Sequence, residues 1–435
     1  MGKVNPAREA ALSSLLKMKS GKYTNLEVNA TLGKTELTGA DKGLYTALVY
    51  GVCERVITLD KTIAKYSKTP LDKIDEKALA ALRLGIYQLA FMDKIPDHAA
   101  VDESVTMAGK RAGGFVNAIL RSFIRDEKRI ELPEKGNSEY ISVAYSVPTE
   151  LCERFIGWYG YGETEKIFAA FLENEKITLR VNNLKTTREK ALEMLGAEPS
   201  AIAENSICTD SFDGVSEGIE KGYWYVQDAA SALAVSTLGA KPGELVVDTC
   251  ACPGGKSFGV AIDMKNEGKL YSFDIHENKL SLIKKGARKL DIDIITASKR
   301  DARDPDPELF EKADRVLCDA PCSGLGVIGK KPDIKYKELS SIDNLPTIQY
   351  DVLCGAAKYV KAGGVLLYST CTLNPEENFG VCRRFLENNN EFSMEPFVWA
   401  KGECNGALTL MPHIDGTDGF FICKMRRKEN NNVKA

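Results

Sequence analysis

Two cysteines stand where a reacting thiol would be placed. Cys322 lies in Asp319-Ala-Pro-Cys-Ser-Gly324 and Cys371 in Ser369-Thr-Cys-Thr372. Each follows a short apolar run, Arg315–Asp319 and Val365–Ser369, that predicts a strand. Both thiols are therefore expected in polar turns at strand ends. A cysteine within a strand is ordinarily core packing, but two in polar turns at adjacent strand ends point to chemistry. A thiolate is a strong nucleophile once the site has removed its proton. Carbon 6 of cytosine suits such an attack: addition there turns carbon 5 into an enamine carbon that can take up a methyl group from a sulfonium. Asp319 is placed to hold such a base by its amino and ring-nitrogen edge.

A second set of residues suits a nucleoside cofactor. Asp248-Thr-Cys-Ala-Cys-Pro-Gly-Gly-Lys-Ser257 follows another predicted strand, Leu245–Asp248. Gly254 and Gly255 allow close backbone approach and positive φ. Asp274 ends the next strand, 26 residues after Asp248, where a carboxylate suits the two hydroxyls of a ribose. Asp301 follows a third strand and is placed to face an adenine edge. Gly255-Lys256-Ser257 resembles the end of a phosphate loop, but the first glycine that loop requires is Cys250. The dinucleotide pattern G-x-G-x-x-G is absent. A ribose-binding acid without a pyrophosphate cradle points to S-adenosylmethionine.

These residues need elements to carry them. After Gln227 come short apolar strands at Leu245–Asp248, Leu270–Asp274, Asp293–Thr296, Arg315–Asp319 and Val365–Ser369, mostly separated by helix-length segments. That alternation predicts a doubly wound, mainly parallel sheet over 226–428, with an edge strand around Phe420–Lys424. Residues 1–130 have helical periodicity throughout. Asp75–Phe91 is apolar on nearly every side, a central buried helix ended by Pro96. Phe115, Ile119, Leu120 and Phe123 share one helical face. The charged stretch Asp126–Gly136 predicts a linker. Residues 137–225 predict a small α+β module, with a strand at Thr178–Asn182 and helices at Glu150–Tyr159 and Arg188–Leu195. The tail Arg426–Ala435 is polar and expected to fray.

Composition narrows the classes. The 435 residues suit several domains, and 44% are hydrophobic. No run approaches a membrane span, and Met1–Pro6 lacks the apolar core of a secretory signal. Twelve scattered cysteines are expected as reduced thiols in the cytoplasm. Cys250-Ala-Cys252 and Cys318-x-x-x-Cys322 lack paired zinc spacing, and with only three histidines no metal is expected. The net charge of −3 hides an asymmetry: residues 1–130 hold 21 Lys+Arg against 15 Asp+Glu, a net of +6, and the remainder is −9. A basic front half is compatible with a polyanionic partner. It carries no catalytic constellation, so a chain starting near Glu134 is expected to keep cofactor binding.

The chain resembles the RNA cytosine-C5 methyltransferase family. The resemblance is carried by Asp248–Lys256, Asp319-Ala-Pro-Cys-Ser-Gly-Leu-Gly326, Tyr368-Ser-Thr-Cys-Thr372 with Glu376-Glu-Asn378, and Thr417-Asp-Gly-Phe-Phe421, in order over about 180 residues. It implies a Rossmann-like core in which Cys250, Ala251, Cys252, Pro253, Gly254, Gly255 and Lys256 cradle the methionine part of the cofactor. It further implies Asp274 on the ribose, Asp301 on the adenine and Asp319 between cofactor and base. Cys371 would be the nucleophile, with Cys322 aiding product release. Cys252, Ser257 and Lys279 depart from the family's usual Ala, Thr and Arg, and none of the three changes removes a required group. In DNA cytosine methyltransferases the Pro-Cys thiol, here Cys322, is the nucleophile instead.

Asp41–Gly51, Ala81–Leu89, Ile95–Glu103 and Phe115–Arg121 look like the helical NusB domain. Tyr145-Ser-Val-Pro148 and Leu179-Arg-Val-Asn182 look like an RNA-contacting insert. Fused ahead of this core, they resemble a bacterial branch whose substrate is one cytosine of 16S rRNA. That branch implies a cytoplasmic monomer acting on RNA, not on DNA or at a membrane. The alternatives are a cytosine of tRNA or 23S rRNA, or a NusB-like RNA-binding protein with an inactive methyltransferase tail.

Overall fold

The computed structural model describes residues 4–18, 24–173 and 176–429. Residues 1–3 of the N-terminal stretch and 430–435 of the polar tail lie outside it. The chain forms two compact units: Met1–Glu173 with Ile328–Lys337, and Asn174–Val327 with Glu338–Ala435.

The first unit is helical. Its central helix, Glu76–Phe91, starts where the Asp75 side chain accepts the amides of Lys77 and Ala78, each at 3.1 Å. Ala81, Leu82, Leu84 and Ile86 are buried around its circumference, as the all-round apolar pattern predicts. Pro96 caps the start of the next helix, Asp97–Arg125, which is kinked at Gly109 (φ 80°). On that helix Ile119, Leu120 and Phe123 are buried in one core, with Phe115 packed against it. The helices Ser138–Tyr145, Thr149–Tyr159 and Tyr161–Ala170 also belong to this unit.

One piece of the first unit comes from far along the chain. Ile328, Ile334 and Lys335 of segment 328–337 are buried in it. Lys335 Nζ donates to the Glu54 carbonyl (2.7 Å) and the Tyr336 hydroxyl to the Cys53 carbonyl (3.2 Å). A Cβ on Gly329 would stand 3.0 Å from the Phe171 carbonyl oxygen, so the chain passes close there. Burial pushes the Lys335 ammonium down to about 7, with Glu54 opposing and Arg55 reinforcing the shift. The unfolded chain therefore binds more protons above that value, and stability rises with pH between about 7 and the ordinary lysine range. Lys335→Met is expected to raise the melting temperature at pH 7. It should also remove about 1–2 kcal/mol of the stability gained between pH 7 and 9. Melting curves of both proteins at the two pH values test this, and a larger benefit of Met at pH 9 would contradict it.

The second unit opens with a small antiparallel sheet of β1 (Ile177–Val181), β2 (Glu198–Pro199), β3 (Ser206–Thr209) and β4 (Trp224–Val226), in the order β2-β3-β1-β4. Strand alternation turns Leu179 and Val181 into the module's own core. It turns Arg180 the other way, where its guanidinium donates to Asp263 (2.7 Å) and to the Ala232 carbonyl (3.4 Å).

The large sheet is built from β5 (Leu245–Asp248), β6 (Lys269–Asp274), β7 (Ile295–Lys299), β8 (Ala313–Asp319), β9 (Val360–Thr370), β10 (Phe392–Met394), β13 (Ala407–Leu410) and β14 (Phe420–Arg427); β11 (Phe397–Trp399) and β12 (Gly402–Cys404) pair separately. Its order is β10-β14-β9-β8-β5-β6-β7, with β5 through β9 parallel. Strand residues alternate between two cores. Val246, Leu317, Leu367 and Ile422 pack with the helices Ala229–Leu238, Gly255–Asp263 and Leu280–Lys289. Val247, Val316, Leu366 and Phe421 pack with Leu345–Ala357 and Val381–Asn388. Two expectations are corrected. The third strand begins at Ile295, later than predicted, because the Asn266 side chain takes the amides of Asp293 and Ile294. β14 is not an edge strand: β9 pairs with it on one side, and β10 and β13 also pair with it. Those two partners span only three and four residues, too short to leave a period-2 signal.

Candidate active site

The strand order reverses direction at β5, between β6 and β8. Ligands in open α/β sheets sit at such a switch, beyond the C-terminal strand ends. The turns after β5, β8 and β9 meet there, and they carry the glycine turn, Cys322 and Cys371.

The two sulfurs, 49 residues apart in sequence, lie 3.3 Å from each other. The Cys322 thiol is pushed well above its ordinary range, first by its hydrogen bond with Cys371 and then by burial. Cys322 thus keeps its proton beside the Cys371 sulfur. Backbone bonds lock the turns: Gly326 N donates to the Cys371 carbonyl (3.0 Å) and Gly419 N to the Gly326 carbonyl (2.8 Å). A Cβ on Gly326 would lie 1.8 Å from the Gly419 carbonyl oxygen, so only glycine allows this approach.

Asp319, at the end of β8, is held from both sides. Lys256 Nζ donates to Oδ2 (2.8 Å) and Ser369 Oγ to Oδ1 (2.7 Å). Burial works against the Lys256 charge, but the attraction and hydrogen bond of Asp319 outweigh it, so its pKa is raised. Behind this pair, Asp248 is buried and receives Ser257 Oγ (2.6 Å) and the Cys250 amide (3.3 Å). Burial raises its carboxyl to about 7, Ser257 opposing and Asp319 adding to the shift.

The glycine turn runs through a cis Cys252-Pro253 bond to Gly254 at φ 118°, then into the helix Gly255–Asp263. Asp274 reaches it from β6. Its Oδ2 accepts the Cys252 amide (3.0 Å) and its Oδ1 the His276 amide (2.9 Å). One amide per oxygen fixes the carboxylate and leaves acceptor positions for a diol. Burial and then the Asp274 charge push the Cys252 thiol up to about 12, so it stays neutral. Asp301 lies beyond β7 but is engaged by Arg303, whose guanidinium donates to both its oxygens (2.6 and 3.0 Å).

Sequence reasoning missed the Lys256–Asp319 pair, the buried Glu377, and Asn378, whose Oδ1 accepts from the Thr370 hydroxyl (2.6 Å) and whose Nδ2 donates to the Thr372 carbonyl (2.9 Å). The first joins residues 63 positions apart and leaves no local signal. The other two had one: polar residues crowded where a strand enters a helix.

The fold and site define a Rossmann-like methyltransferase core. Its residues 235–426 match the model of the 16S rRNA methyltransferase RsmB/F family, residues 5–125 the NusB family, and 147–212 the RsmF/B-like ferredoxin-like domain. The chain is 37% identical to the probable ribosomal RNA small subunit methyltransferase B of Bacillus subtilis (strain 168), over 98% of this chain and 100% of that protein. It is 33% identical to the protein of the same description from Synechocystis sp. (strain PCC 6803), over 93% and 95%. Among solved structures, PH0851 superposes with a TM-score of 0.78 at 27% identity, over 98% and 100%. The chain belongs to the ribosomal RNA small subunit methyltransferase B family and is an RNA methyltransferase. Among the described residues no helix is long and apolar enough to cross a membrane.

Proposed function

We propose that the protein methylates carbon 5 of a cytosine in 16S rRNA, with Cys371 as nucleophile. The observation that carries this reading is the 3.3 Å approach of Cys371 and Cys322 beside an Asp319 anchored by Lys256 and Ser369. Asp319 accepts from the amino group of the base and stabilises positive charge at its ring nitrogen. Cys371 adds to carbon 6, and carbon 5 becomes an enamine carbon. S-adenosylmethionine, when bound, supplies the electrophilic methyl group. Cleavage of the carbon–sulfur bond and transfer of the carbon 5 proton to Cys322, once its own proton has passed to the departing sulfur, then restore the aromatic ring. Cys322, which holds its proton, donates it to the departing sulfur. Bisulfite sequencing of 16S rRNA from a deletion strain, with and without the restored gene, tests the reading: one cytosine should lose protection. Protection lost in tRNA or 23S rRNA instead would redirect the substrate assignment.

The residues fit S-adenosylmethionine, because Asp274 presents a fixed carboxylate for a ribose diol beside a glycine turn. The turn Cys250–Lys256 would hold the methionine part and Asp301, with Arg303, would border the adenine. Asp274→Ala is expected to weaken cofactor binding by about 1.5–3 kcal/mol through loss of charge-assisted bonds. Calorimetry with S-adenosylmethionine measures this, and unchanged affinity would remove Asp274 from the site.

A further inference from the structure

The triplet Glu376-Glu377-Asn378 takes no part in the chemistry above, yet Glu377 is fully buried between the two cysteine turns. Its Oε2 accepts the amide of Ser323, next to Cys322 (2.8 Å), and the side chain of Gln349 (2.9 Å). Its Oε1 accepts from Asn374 Nδ2 (3.0 Å) and, at 3.5 Å, from the hydroxyl of Thr372, next to Cys371. The hydroxyls of Ser323 and Thr372 lie 2.7 Å apart, closing the ring. Gln349 also donates to the carbonyl of Pro321, on the other side of Cys322 (2.9 Å). One carboxylate therefore joins both turns. An ionised carboxylate removed from water is costly, and all four donors here are neutral. An amide would turn its own N–H groups toward two of these donors, and an apolar side chain would leave all four without an acceptor.

We propose that Glu377 is a positioning residue for methyl transfer, its carboxylate holding the turns of Cys322 and Cys371 at their reacting distance. This rests on the assignment of those two thiols as the reacting pair. Its negative charge has a second effect. After the Cys371 hydrogen bond, burial and the Cys371 charge, it adds to the forces that keep the proton on Cys322.

The test compares Glu377→Gln, Glu377→Asp and Cys371→Ala in the full chain, with substrate RNA and S-adenosylmethionine. Glu377→Gln should lower kcat about tenfold to a hundredfold, as sub-ångström misplacement of reacting groups does. KM for RNA and cofactor should stay within about twofold, because the carboxylate is fully buried. Iodoacetamide labelling of the Cys322 peptide, followed by mass spectrometry, should begin at lower pH. Glu377→Asp keeps the charge, so its labelling profile should match wild type and part of the rate should return. Wild-type kcat and labelling in Glu377→Gln, with Cys371→Ala inactive, would reduce Glu377 to packing and overturn the proposal. If Glu377→Gln does not fold, Asn374→Ala removes one donor and leaves the carboxylate. It should cost about threefold to tenfold in kcat at constant KM, and an unchanged kcat there overturns the proposal equally. Methylation persisting in Cys371→Ala would instead overturn the thiol assignment beneath it.

Discussion

Cys371→Ala is expected to abolish methylation, and Cys322→Ala to accumulate a covalent protein–RNA adduct that survives a denaturing gel. The two outcomes differ because the thiols act at opposite ends of one reaction. Without Cys371 there is no sulfur to add to carbon 6, and the rate should fall by at least about a thousandfold. Without Cys322 addition and methyl transfer still proceed, but the departing sulfur lacks the proton that lay 3.3 Å away. Release then becomes the slow step. Because both residues serve one reaction path, their effects should not add: the double variant should form no adduct and be no slower than Cys371→Ala alone. The experiment mixes each variant with substrate RNA and S-adenosylmethionine and looks for a shifted band. An adduct with Cys371→Ala and none with Cys322→Ala would reverse the roles and favour the arrangement of the DNA enzymes.

A chain beginning at residue 174 is expected to lose at least about a hundredfold in kcat, more than its loss of RNA affinity explains. The basic, helical front half looks separable when only its charge and lack of catalytic residues are considered. The structure revises that expectation, because segment 328–337 belongs to the helical unit. Removing residues 1–173 strips Lys335 and Tyr336 of the Glu54 and Cys53 carbonyls, and Gly329 of its neighbour Phe171. Ile328 and Ile334 would then face water. This segment begins two residues after Gly326, whose amide holds the Cys371 carbonyl. Single-turnover kinetics at saturating RNA separates the two losses. A truncated chain with full single-turnover rate would show the segment has no bearing on catalysis.

The strands of the large sheet were legible because buried parallel strands are continuous apolar runs, as in Leu245–Asp248 and Arg315–Asp319. The cysteine turns were legible because thiols in polar sequence at strand ends are unlike core cysteines. What escaped was non-local. The burial of Lys335 could not be read from a segment whose Lys330-Lys331-Pro332-Asp333 suggests solvated loop. The interior place of β14 depends on strands of three and four residues. Asp301 was assigned by its distance from a strand, which gives no sign that Arg303 engages it. Glu377 sits in a motif visible in the sequence, but its role is set by donors from three other segments, one of them 54 residues away.

The bond between Gly419 and Gly326 also bears on when the enzyme becomes active. Gly419 lies 93 residues after Gly326, in the turn that leads into β14. Gly326, Cys371 and Glu377 are all synthesised before this brace. A nascent chain still lacking that segment has neither the Gly419 bond nor the strand that pairs with β9 beside Cys371. The catalytic geometry is therefore completed only once translation has passed β14. A protein truncated by a premature stop between the codons of Glu377 and Gly419 would keep every residue assigned to chemistry and still lack the frame that aligns them.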